Sequence, residues 1–204
     1  QTFNIAIDNV LGAVISGTSK DDVYNATSAT STTAEGDTVS GNNGNDLIDG
    51  VAGSDSLNGG SGNDSILGGL GNDTINGGGD NDTIDAGAGD DTIILTGNES
   101  LLDVINAGST GEVKGDTALV QGSGAVTLTN FDAGASGIEN WVGNNSNIAG
   151  TGNADKIDLS YLKTVSGLPF IDGGSGDDSV TGSNSADDLR GNVGHDTLNG
   201  AGGA

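Results

Sequence analysis

Residues 41–94 read GNNGNDLID, GVAGSDSLN, GGSGNDSIL, GGLGNDTIN, GGGDNDTID and AGAGDDTII, consecutive nonapeptides with no residue between them. The sixth place is always aspartate: Asp46, Asp55, Asp64, Asp73, Asp82 and Asp91. The eighth is always aliphatic: Ile48, Leu57, Ile66, Ile75, Ile84 and Ile93. A second block opens at Gly173 as GGSGDDSVT, GSNSADDLR and GNVGHDTLN, with Asp178, Asp187 and Asp196 sixth and Val180, Leu189 and Leu198 eighth. Glycine fills much of the first part of each unit, and glycine is the residue that accepts the positive φ angles of tight turns. The closing residues suit a short strand whose eighth side chain faces inward while its neighbours face water. The 3.6-residue period of a helix is absent from every long segment, and glycine recurs too often to sustain one.

Composition narrows the chemistry. The chain has 204 residues, of which 39 are glycine and 3% aromatic, so a core of many large side chains is not expected. Its formal net charge is -24, and of 29 acidic residues only Glu35, Glu99, Glu112 and Glu139 are glutamates. Solubility is served by either acid, whereas the short aspartate side chain suits a metal ligand or turn-former in a tight loop. Acidic, glycine-rich chains are often disordered, but disorder needs no periodicity. The charge argues against nucleic acid or insertion into an anionic membrane, which it would repel. Divalent cations are the natural counter-charge. With no cysteine there is neither a disulfide framework nor a thiolate metal site.

The repeats closely resemble the RTX, or hemolysin-type, calcium-binding nonapeptide G-G-x-G-x-D-x-U-x, where U is aliphatic. The resemblance implies an all-β fold, a parallel β-roll or β-solenoid with calcium-bound turns, short strands and essentially no helix. In that family each coil uses two nonapeptides, so equivalent turns recur at every second unit. Asp46, Asp64 and Asp82 then line one edge, and Asp55, Asp73 and Asp91 the other. Calcium between successive turns would take oxygens from both aspartates and from backbone carbonyls, a set of hard donors that suits it better than magnesium or zinc. The expected pairs are Asp46 with Asp64, Asp64 with Asp82, Asp55 with Asp73, Asp73 with Asp91, and Asp178 with Asp196, giving about five ions. Asp187 is an expected ligand as well, although it lacks a mate two units further on. Asp80 and Ser185 replace fourth glycines and Ala86 a first glycine, where strain is expected if the turn is left-handed. Residues 17–25 and 150–158 read as decayed copies, with Asp22 and Asp155 sixth.

The expected organisation is degenerate rungs or an N-terminal cap over 1–40, the calcium roll over 41–94, a β-rich, metal-poor, solenoid-like segment over 95–170, and a truncated second block over 171–204. A weaker rhythm of the same length, including Leu119, Leu128, Ile157 and Ile171, runs through the middle. Phe131, Trp141 and Tyr161 there suggest a cap, a bulkier rung or a contact surface. The resemblance further implies a module of a larger secreted bacterial protein, extracellular or at the cell surface, that leaves by type I secretion and folds on meeting calcium. The rest of the parent chain is an expected partner. An adhesive, surface-layer, or ice- or glycan-binding role stays open, with Ser65, Thr74, Thr83 and Thr92 as outward hydroxyls, and so does service as an accessory domain of a secreted hydrolase, epimerase or cytolysin. The segment itself is not expected to be an enzyme, since the single histidine, His195, occupies a variable turn position.

Overall fold

The structure is a computed structural model that describes residues 3–6, 14–18, 20, 22–25, 36–96, 100–101, 103–108 and 110–203. Its strands are short and pair in parallel throughout the registers described. The one described helix is a single turn, Ala133–Ser136, capped by the Asp132 side chain and closed by left-handed Gly137. The all-β parallel roll implied by the repeats is therefore the observed fold. By contact density the chain divides into residues 1–94 with 103–116, and residues 95–102 with 117–204.

In the first unit two sheets alternate along the chain. One orders Phe3–Ala6, Asp22–Asn25, Leu47–Asp49, Ser65–Leu70, Thr83–Ala88 and Val104–Asn106; the other includes Val14–Ser16, Thr38–Asn43, Ser56–Ser61, Thr74–Gly79 and Thr92–Thr96. Within the repeats the register pairs each strand with the one two nonapeptides on, as Val39↔Leu57↔Ile75↔Ile93 and Ile48↔Ile66↔Ile84. These eighth-position residues are all buried, in two facing aliphatic columns. Each buried aliphatic contributes roughly 1.5–3 kcal/mol of transfer free energy. The outward positions form a second register, Thr38↔Ser56↔Thr74↔Thr92 on one sheet and Leu47↔Ser65↔Thr83↔Val104 on the other.

The second unit begins with longer coils. Partners stand farther apart, as in Val126↔Ile148, Asn140↔Thr164 and Phe131↔Ile157, and three sheets share the work. The extra interior is filled by Trp141, fully buried, against Phe131 at a ring separation of 6.5 Å and 69°. Of the three interpretations open for the aromatic segment, these two residues form a bulkier rung, whereas Tyr161 is half exposed. The spacing returns to two nonapeptides in Ile171↔Leu189 and Val180↔Leu198. Val180 is buried but Leu198 is 44% exposed, because its strand, Thr197–Asn199, is the edge of its sheet. In the middle rhythm, Leu128, Ile157 and Ile171 are buried as expected, but Ala118 and Val120 point inward in place of Leu119.

Candidate metal centre

The aspartates of the first block form two ladders along the edges of the roll. On one, the backbone N–H of Asp46 donates to Asp64 Oδ1 (2.7 Å) and that of Asp64 to Asp82 Oδ1 (2.8 Å). On the other, Asp55 donates to Asp73 Oδ1 (2.8 Å) and Asp73 to Asp91 Oδ1 (2.7 Å). In the second block Asp178 donates to Asp196 Oδ1 (3.0 Å). All five pairs expected from the repeat spacing are brought together. Asp187 is not among these pairs, and its carboxylate accepts from the N–H and hydroxyl of Ser183.

The ladders extend beyond the nonapeptides. Asp22 donates to Asp46 Oδ1, Asp37 to Asp55, Asp82 to Asp103, Asp91 to Asp116, and Asp155 to Asp178. Sequence reasoning does not single out Asp37, Asp103 or Asp116. Asp37 is within its reach, as the sixth residue of a unit running backward from Gly41 with Val39 eighth. Asp103 lies 21 residues from Asp82 and Asp116 lies 25 from Asp91, so insertions hide both from a fixed period. A shallower ladder of position-five residues runs alongside: Asn63 N–H donates to Asn45 Oδ1, Asn81 to Asn63 Oδ1, and Asp90 to Asn72 Oδ1. His195 belongs to this outer series, exposed, with its N–H donating to Asp177.

Burial gives the inner ladder its chemistry. Asp55, Asp64, Asp73, Asp82 and Asp91 are only 1–3% exposed. One oxygen of each, Oδ1, accepts the backbone N–H of the preceding coil, while Oδ2 is buried with no hydrogen-bond partner. Desolvation raises Asp73 and Asp82 to about 7 and Asp55, Asp64 and Asp91 to about 6, with neighbouring carboxylates adding to the rise and the backbone hydrogen bond opposing it. Burial likewise raises Asp103 and Asp178. Buried carboxylates require a paired cation or a proton. Five basic side chains cannot neutralise 29 acids.

The first glycine of each unit explains where Oδ2 points. A Cβ at Gly50 would fall 2.5 Å from Asp55 Oδ2 and 2.6 Å from the carbonyl oxygen of Gly68 in the next coil. Gly59 holds the same two groups, Asp64 Oδ2 and the Gly77 carbonyl. A carboxylate oxygen and a carbonyl oxygen from adjacent coils thus converge at the Gly41, Gly50, Gly59 and Gly68 notches. An all-oxygen set of this kind fits a hard divalent cation, and the aspartates fit calcium in particular.

A family profile described as the RTX calcium-binding nonapeptide repeat (4 copies) matches residues 31–66, 58–93 and 170–204. Residues 31–93 and 170–204 therefore carry RTX calcium-binding nonapeptide repeats. RTX repeats bind calcium as structural modules. No curated protein and no solved structure matches the chain.

Turn geometry also corrects the expected sites of strain. Left-handed backbone occurs at the second position, as in Gly60, Gly69 and Val51, and at the fourth, as in Gly62, Gly71 and Asp80. Asp80 does adopt φ 78°, as its replacement of a fourth glycine suggests, and its carboxylate accepts from Gly62 N–H. Ala86 and Ser185 are not left-handed, so neither carries that strain. First positions are reserved for glycine by crowding against Asp Oδ2, not by φ.

Proposed function

We propose that this chain is a calcium-folded structural module of a larger secreted bacterial protein, placed outside the cell or at its surface. The observation that carries the reading is the set of buried aspartates Asp55, Asp64, Asp73, Asp82 and Asp91, each leaving one carboxylate oxygen unsatisfied, with a carbonyl of the next coil beside those of Asp55 and Asp64. The ligands are Asp46, Asp55, Asp64, Asp73, Asp82, Asp91, Asp178 and Asp196, with backbone carbonyls of the same turns. Calcium supplies two positive charges and a preference for six to eight oxygens. Without a counter-charge the stacked carboxylates repel, and glycine-rich backbone favours the expanded chain. Folding and metal binding are then one event. Cytosolic calcium is too scarce to close the turns, so the chain leaves the cell extended and folds outside.

The test is a calcium titration of the full chain, followed by calorimetry and far-ultraviolet circular dichroism. The expected result is a disordered spectrum in chelator, a β-rich one at millimolar calcium, and about five ions per chain. A β-rich spectrum in chelator at pH 8 overturns the coupling. No helix among the described residues is long and apolar enough to cross a membrane.

A further inference from the structure

Among the described residues, three turns depart from the pattern of the repeats in the same way. In the turn over 17–22 the N–H and hydroxyl of Thr18 both donate to Asp22 Oδ2, each at 2.8 Å. In the turn over 150–155 the N–H and hydroxyl of Thr151 donate to Asp155 Oδ2 at 2.6 and 2.9 Å. In the turn over 182–187 the Ser183 N–H donates to Asp187 Oδ2 at 2.8 Å, and its hydroxyl reaches both carboxylate oxygens at 3.1 and 3.3 Å. Each hydroxyl sits at the second position of its unit. Each also accepts the N–H of the fourth residue, from Lys20, Asn153 and Ser185 at 3.2, 3.2 and 3.1 Å.

These hydrogen bonds replace the left-handed backbone of the repeats. Second and fourth positions are both left-handed in the pairs Gly60 and Gly62, Gly69 and Gly71, Val51 and Gly53, and Gly174 and Gly176. Thr18 is not left-handed, and neither residue is in Thr151 and Asn153 or in Ser183 and Ser185. The Asp155 turn is otherwise built like the others: Asp155 N–H donates to Asp178 Oδ1 at 2.9 Å, and Asp155 Oδ2 meets the Gly173 carbonyl at the Gly150 notch. Besides the backbone at the second and fourth positions, the state of Oδ2 differs. It carries two charge-assisted hydrogen bonds in Asp155, and none in Asp55, Asp64 or Asp73.

We propose that the second residue of each turn selects which aspartates serve calcium: serine or threonine there closes the carboxylate on its own turn and makes that turn independent of metal. The rule rests on the reading that the ladder aspartates hold calcium. It removes Asp187 from the ligands expected from sequence, and it assigns the turns at Asp22, Asp155 and Asp187 to hydroxyl-locked structure.

Two variants of the full chain test it in opposite directions. Val51→Thr is nearly isosteric and brings a hydroxyl to the second position of the Asp55 turn, where Gly53 can follow the change of backbone. Thr151→Gly with Asn153→Gly removes the lock at Asp155 and restores glycine at both positions. Ion counts by calorimetry and by equilibrium dialysis with calcium alone should fall by one in the first variant and rise by one in the second. Circular dichroism at saturating calcium should match the parent in both. A gained ion cannot come from misfolding, so the second variant decides even if the first folds poorly. A parent that binds calcium while both counts stay unchanged overturns the selection rule alone. A parent that takes up no calcium overturns the calcium reading and the rule with it.

Discussion

The two-nonapeptide coils of residues 36–94 and the longer coils that open the second unit solve the same packing problem with different means. A short coil encloses two columns of one aliphatic residue each, Leu57 and Ile75 facing Ile48 and Ile66, and gives both of its edges to carboxylates. A longer coil has room for a third sheet and for Trp141 and Phe131, and it spends fewer residues on acidic turns. Cohesion in the first region must therefore come largely from its edges, and in the second from its interior.

The largest expected contrast follows from removing ligands on one side and core on the other. Asp64→Ala with Asp73→Ala takes a member from each ladder and should leave residues 36–94 unfolded at millimolar calcium, read as a loss of β signal and of most bound ions. Trp141→Ala should instead cost about 3–5 kcal/mol of stability in the second region while the ion count stays as in the parent. If the double variant keeps its ions and its spectrum, the edges are not what holds the short coils together.

A smaller contrast is expected in pH. In the metal-free chain the folded-state values of about 6–7 for Asp55, Asp64, Asp73, Asp82 and Asp91 lie above the ordinary 3.8. The folded state thus holds more protons than the unfolded state between those limits, so its stability is greatest below about 4 and is lost as pH rises toward about 7. In metal-free buffer the β signal should be stronger at pH 5 than at pH 8. Calcium affinity should run the other way and rise across the same interval, because protons compete for the same oxygens. Calcium affinity that is flat between pH 5 and 8 would show that these carboxylates are not the ligands.

The smallest effect concerns a single backbone angle. Val51 holds φ 67° at the second position of its turn, where asparagine is tolerated far better. Val51→Asn should stabilise the calcium-loaded chain by about 1 kcal/mol, seen as a raised thermal midpoint. No gain would mean that the neighbouring coils relieve the angle.

Much of this was legible in the sequence because the repeat is rigid. A fixed count of nine sets which aspartates stack and which aliphatics are buried, and all five expected pairs meet. The count fails where residues are inserted, which hides Asp103 and Asp116 although each accepts the same hydrogen bond as a repeat aspartate. It also fails at Leu119, where the alternation of the strand puts Ala118 and Val120 inside. Ser185 looks like a damaged glycine because sequence shows the missing residue and not the Ser183 hydroxyl that takes over its work.

Trp141 is the only tryptophan in the chain and is fully buried in the second unit. Its emission therefore reports on one part of the molecule alone, while the amide absorption of the strands sums over all of it. Following both signals through one unfolding experiment would tell whether the chain melts in a single step or in two, without any added label.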